Sequence, residues 1–186
     1  CKEMKIKVLT PNIKTSNKHF NVNADLDIKY GLGAIKGVAD SFIDHVIEVR
    51  KNHSFKDLFD LTKKVNIRLG GKKSIEALTK AGAFDELAPS RSIALACMED
   101  MLREGQKNSA QMAGTSDLFA SMDETFDPYE KYVSVKDLSK EDLLNFERDA
   151  LGYYFSGHPV IAIEGMVKNL RSHTISQVTD DMNRVK

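Results

Sequence analysis

The stretch Gly31-Leu-Gly33-Ala-Ile35-Lys36-Gly37-Val38 has the residue types and spacing to hold a phosphate. A tight glycine-bearing turn ahead of a helix points backbone N–H groups outward, and glycine lets an anion approach with no Cβ in the way. The dipole of the following helix adds partial positive charge at the same place. Ile35 and Val38 would anchor the turn, and Lys36 would face out. A second stretch repeats the scheme: Lys72-Lys73, a helical run, Gly82, then Phe84-Asp85 and Arg91. The glycines at 31, 33 and 37 do not fit the G-x-G-x-x-G dinucleotide fingerprint, and no Gly-Lys-Ser/Thr follows to make a P-loop.

This is the physical logic of a helix-hairpin-helix, which grips a nucleic-acid backbone without reading bases, so its binding depends on salt and tolerates sequence. For each turn a plain glycine turn at a helix boundary is the competing reading, and Gly82 could be only a helix C-cap. A third feature is Thr115-Ser116-Asp117-Leu118-Phe119, set in a polar stretch. Two adjacent large apolar residues there should seek a pocket, either on the parent domain or on a partner.

No catalytic or metal-binding set is expected. The five histidines (His19, His45, His53, His158, His173) lack ligand spacing. Asp25-x-Asp27 resembles a two-metal carboxylate pair but falls in a turn, and Asp57 offers only a weak case for a glycosylase-like repair enzyme. Cys97 lies in an apolar helical pattern and reads as a buried thiol; with only Cys1 besides, no disulfide framework is expected.

The elements that must position these residues are mainly helical, with a small β-hairpin near the N-terminus. KHFNV (18–22) and LDIKY (26–30) flank the turn Asn23-Ala24-Asp25. Phe42, Ile43, Val46 and Ile47 recur at helical spacing over 39–51. Ser54 with Asp57 suggests a capping box for a second helix. Further helices are expected over 73–81, ending at Gly82, and over Ser90–Gly105. The stretch 105–137 has no sustained period and reads as a long loop. Ser139 starts another helix that should end by Gly157, and a last short helix is expected over 160–170.

Composition agrees with a folded chain. Of 186 residues, 41% are apolar and 29% charged, enough for a core and too ordered in pattern for a disordered tail. No apolar run approaches the roughly 20 residues of a membrane span, and the charged start has no secretory h-region. The chain begins with Cys1 and reads as a piece of a longer polypeptide. Charge is zero overall but uneven. Residues 1–90 carry 16 Lys and Arg against 11 Asp and Glu, and residues 113–160 carry 4 against 10. A basic half suits a face near nucleic acid, and ordinary solvated surface remains the bland alternative.

Taken together the blocks Val8-Leu-Thr-Pro11-Asn-Ile13, Tyr30–Val38, Ile75–Asp85, Arg91 with Leu95, and Glu147–Pro159 resemble the alpha subunits of bacterial replicative DNA polymerase III. The resemblance implies a piece lying between the fingers and an OB-fold domain. Residues 1–30 would end the fingers, and 31–112 would form a tandem helix-hairpin-helix region on duplex DNA. Residues 113–125 would be a sliding-clamp-binding loop, 126–170 closing helices, and 171–186 the lead-in to the OB-fold. It implies DNA contacts from Gly31, Gly33, Lys36, Gly37, Val38, Lys72, Lys73, Gly82 and Arg91, and clamp contacts from Thr115, Ser116, Asp117, Leu118 and Phe119. It also implies other holoenzyme subunits as partners and a cytoplasmic, nucleoid-associated setting. The parent would be a DNA-directed DNA polymerase, with its catalytic aspartates and Mg in the palm, outside these residues. Thr115 stands where the clamp motif usually opens with Gln, and Ala39 where the first hairpin usually ends in Gly. A helix-hairpin-helix repair enzyme and a non-binding helical spacer are the alternatives.

Overall fold

The computed structural model describes residue 4, residues 6–112 and residues 127–161. Three short strands open the chain: β1 (Val8–Leu9), β2 (Asn21–Val22) and β3 (Ile28–Lys29). Their order is β1-β3-β2, with β3 antiparallel to β2 (Val22 opposite Ile28) and parallel to β1 (Val8 opposite Ile28). The expected hairpin is therefore present, though shorter. Its turn is held by the Asn23 side chain, whose Oδ1 accepts the N–H groups of Asp25 and Asp27 at 3.0 and 2.9 Å. Strand β1 has no counterpart among the sequence expectations, since two residues cannot display a period of two.

Helix α1 (Asp40–Val49) buries Phe42, Ile43 and Val46, as their spacing predicts. Helix α2 (Leu58–Lys64) starts three residues later than a Ser54 cap would place it. Asp57 is the cap, its Oδ1 taking the Asp60 N–H at 2.7 Å, while the Asp60 carboxylate accepts the Lys56 N–H at 2.8 Å. That reciprocal pair satisfies two orphan amides. It leaves Phe55, only 4% exposed, free to enter the core ahead of the helix. Helix α3 (Gly71–Lys80) gives way to Gly82 at φ +80°, as expected.

The single helix expected over Ser90–Gly105 is two. Helix α4 (Arg91–Ala96) is capped by Ser90, and α5 (Met98–Met112) follows after Cys97. The Cys97 amide still bonds to Ile93 O at 2.9 Å, so an apolar pattern cannot sense the break. Helix α5 also runs on through residues expected to be loop. Gly105 lets it approach the chain at Ile67, where a Cβ would come within 2.9 Å of the Ile67 side chain. Helix α6 (Lys140–Leu151) is capped by Ser139, as expected, but stops at Gly152 (φ +87°) rather than near Gly157. Residues 159–161 are helical. The rest of the last expected helix, and 171–186, lie outside the described residues.

One core joins these elements. Ile13, Leu32, Phe42, Leu58, Leu78, Phe84 and Met101 are each at most 1% exposed within it. Tyr129 ties it together by donating to Leu87 O at 2.6 Å and accepting from Leu58 N–H at 3.0 Å. Cys97 is fully buried, and burial pushes its thiol up to about 11. Among the described residues no helix is long and apolar enough to cross a membrane, and no cluster of His, Cys, Asp and Glu could hold a metal.

Candidate nucleic-acid interface

The first glycine turn divides into a packing half and an open half. Gly31 is buried, and a Cβ there would lie 2.6–2.7 Å from the backbone of residues 18–20. The Gly33 N–H donates to Lys18 O at 2.9 Å. These two glycines dock the turn, a 3-10 segment at Leu32–Ala34, against the chain entering the hairpin. Gly31 thus packs on backbone, and the Gly33 amide is already taken. The Lys36 N–H is likewise taken, by Ala150 O at the end of α6 (2.9 Å), and that of Val38 by Ile35 O (3.4 Å).

Gly37 is different. It is exposed at φ +89°, and over 33–38 its amide alone has no acceptor among the described residues. Two residues on, Ala39 is the N-cap of α1, which has no side-chain cap on its first amides. Ala39 sits at φ −77°, extended backbone that any residue adopts, so alanine in place of the usual glycine carries no strain.

Helix α3 brings its N-terminus to the same place. The hydroxyl of Ser74, 2% exposed, accepts the Ala39 N–H at 3.0 Å and donates to Gly37 O at 3.5 Å. The Lys73 side chain runs past Gly37, its Cε 3.3 Å from where a Cβ would stand. Helix α3 opens on Gly70 and Gly71, with Lys72 and Lys73 in its first turn and neither an acid nor a side-chain cap there. Lysines at a helix start oppose the macrodipole unless an anion sits between them and the amides. Lys36 and Lys73 are exposed and have no carboxylate partner among the described residues. Lys72 pairs with Glu99 at 3.0 Å on open surface. The structure thus sets Lys73 beside Gly37, whose chain neighbours are Lys36 and Val38, while Lys72 turns to Glu99. Ser74, which no sequence motif flagged, is the joint.

The second turn is built for packing. Gly82 is buried, and the Arg91 guanidinium covers it where a Cβ would stand. Arg91 binds Asp85 through two nitrogens (Nε–Oδ1 2.9 Å, Nη2–Oδ2 2.8 Å) and lies 3.7 Å from Glu147. Burial opposes the Arg91 charge, but the hydrogen bond and charge of Asp85, with Glu147 behind it, hold its pKa above the ordinary value. Gly82 is thus covered by a side chain, and the Arg91 guanidinium is engaged by carboxylates. Glu147, 1% exposed, also accepts the N–H groups of Phe155 and Ser156 at 2.7 and 2.8 Å and the Ser156 hydroxyl. On a helix read one residue at a time it looks like solvent-facing charge. The expected clamp motif Thr115–Phe119 lies outside the described residues.

A glycine turn set against two helix starts is the arrangement expected of a helix-hairpin-helix, and residues 5–94 match the helix-hairpin-helix motif family. The resemblance drawn from the sequence motifs also holds. The chain is 36% identical over 183 residues to DNA polymerase III subunit alpha of Pasteurella multocida, covering 97% of this chain and 16% of that subunit. The Vibrio cholerae subunit gives the same identity and coverage. That of Escherichia coli K12 is 36% identical over 163 residues, 86% of this chain and 14% of the subunit. The chain therefore spans about one-sixth of the length of these curated relatives.

Proposed function

We propose that this chain is a duplex-DNA-binding and sliding-clamp-binding module of a DNA-directed DNA polymerase, and that it tethers the polymerase to primed template without itself catalysing. The open Gly37 amide between the unpaired Lys36 and Lys73 carries the DNA part. One phosphate at Gly37 would meet an N–H donor, two uncapped helix starts and two cations, with no base contact, as sequence-tolerant grip requires. The clamp part rests on Leu118 and Phe119, a large apolar pair in polar surroundings that suits a hydrophobic cleft. Holding both partners raises the effective concentration of polymerase at the primer end. Nucleotidyl transfer, with its Mg ions, belongs to the palm of the parent polymerase, and other holoenzyme subunits would assemble around it.

The test is a titration of this chain against primed duplex DNA at two salt concentrations and against a bacterial sliding clamp. Salt-sensitive DNA binding together with clamp binding supports the proposal. A folded chain that binds neither would be a spacer.

A further inference from the structure

We propose that Phe20 and Tyr153 form a stacking platform for an unpaired nucleobase of single-stranded DNA, adjoining the phosphate grip at Gly37. The proposal rests on the DNA-binding reading above. The Tyr30 ring, in a residue only 3% exposed, is flanked by Phe20 at 4.7 Å, edge-on, and by Tyr153 at 6.1 Å, tilted; Phe155 follows Tyr153 at 5.7 Å. The buried ring anchors two open ones, since Phe20 is 51% and Tyr153 41% exposed. Each is held by its neighbours, so presenting a ring face sacrifices little rotamer freedom.

The segment carrying Tyr153 is fixed in place. Gly152 ends α6 at φ +87°, and the buried Glu147 carboxylate holds the Phe155 and Ser156 amides. The Tyr30 hydroxyl donates to Leu151 O at 3.3 Å. This segment also adjoins the grip. Lys36 N–H bonds Ala150 O at 2.9 Å, and Lys36 Nζ lies 3.4 Å from where a Cβ on Gly152 would stand, one residue before Tyr153.

An unpaired cation beside Gly152 and an exposed ring on the next residue fit a nucleotide, phosphate on one and base on the other. A purely apolar partner would leave Lys36 without a counter-charge. The nearby carboxylates Asp40 and Asp44 are already engaged by Lys18, at 3.2 and 2.9 Å. Burial, with the charges of Tyr30 and Glu147, pushes the Tyr153 phenol up to about 12, so it stays neutral beside a phosphate. Bases stacked inside a duplex present no face to a ring, so the ligand proposed is a single strand leaving the duplex.

The experiment compares binding of the chain to a blunt duplex and to the same duplex with a single-stranded extension carrying 2-aminopurine. Wild type should prefer the extended DNA by about tenfold and quench the 2-aminopurine. Tyr153→Ala should abolish both effects and leave blunt-duplex affinity unchanged. Tyr153→Leu, which keeps apolar bulk and guards against a folding defect, should do the same. Equal affinity of wild type for the two DNAs without quenching overturns this inference alone. So does a Tyr153→Leu variant that behaves as wild type, which would mark the patch as an apolar protein contact. Failure of wild type to bind either DNA overturns the DNA-binding reading itself.

Discussion

At the scale of single residues, the glycines of the first turn do different work, and substitution separates them. Gly31→Ala forces a Cβ into backbone at 2.6 Å and should cost about 2–3 kcal/mol of stability in urea denaturation. Gly37→Ala meets the flexible Lys73 side chain and, at ordinary contact distance, Ala77, so its φ of +89° sets the cost at about 1 kcal/mol. The lysines should act on binding and leave stability alone. Lys36→Ala and Lys73→Ala are each expected to weaken duplex binding and lower the slope of log affinity against log salt by about one. Anisotropy titrations over a salt series give that slope directly. Lys72, already paired with Glu99, should matter less.

At the scale of elements, α6 braces both glycine turns, through Ala150 to the first and Glu147 to the second. Removing the Glu147 carboxylate leaves Arg91, with a side chain 12% exposed, short of a partner and frees two amides. Glu147→Ala should therefore cost about 3 kcal/mol in equilibrium unfolding, and Glu147→Gln less, since it keeps an acceptor oxygen. Helix α5 is tied to the 3-10 turn at Glu130–Tyr132 by Asp100, which binds the Lys131 ammonium and the Tyr132 hydroxyl. Lys131, then Tyr132, hold the Asp100 carboxyl below its ordinary 3.8. A depressed carboxylate stabilises the fold fully above that ordinary value, and the contribution fades as pH falls below 3.8 through the folded value. Asp100→Asn should lower stability at neutral pH and flatten the acid limb of a stability–pH curve.

At the scale of the whole molecule, two separable surfaces are expected. The double variant Leu118→Ala/Phe119→Ala should lose about 2 kcal/mol or more of clamp binding while holding primed duplex as wild type does. Loss of both together in a folded variant would mean that DNA and clamp share one surface. Much of the architecture was legible in advance. Local signals specify their own element: the α1 stripe of Phe42, Ile43 and Val46, the Ser139 cap, Gly82 after α3, and the turn at Asn23. They work because helix period, capping and turn chemistry are short-range. Partners distant in the chain were not legible. Strand β1 exists because β3 is there to pair with it, and the break at Cys97 leaves no mark on the apolar pattern. For the candidate site, residue types alone could name Lys36, Gly37 and Lys73. Which amides are open and which arginine is free depends on contacts made across the chain. Ala150 takes the Lys36 amide from 114 residues away in sequence, and Asp85 and Glu147 take Arg91. A hydrogen-bonding group has a limited number of partners, and only the tertiary structure decides who holds them.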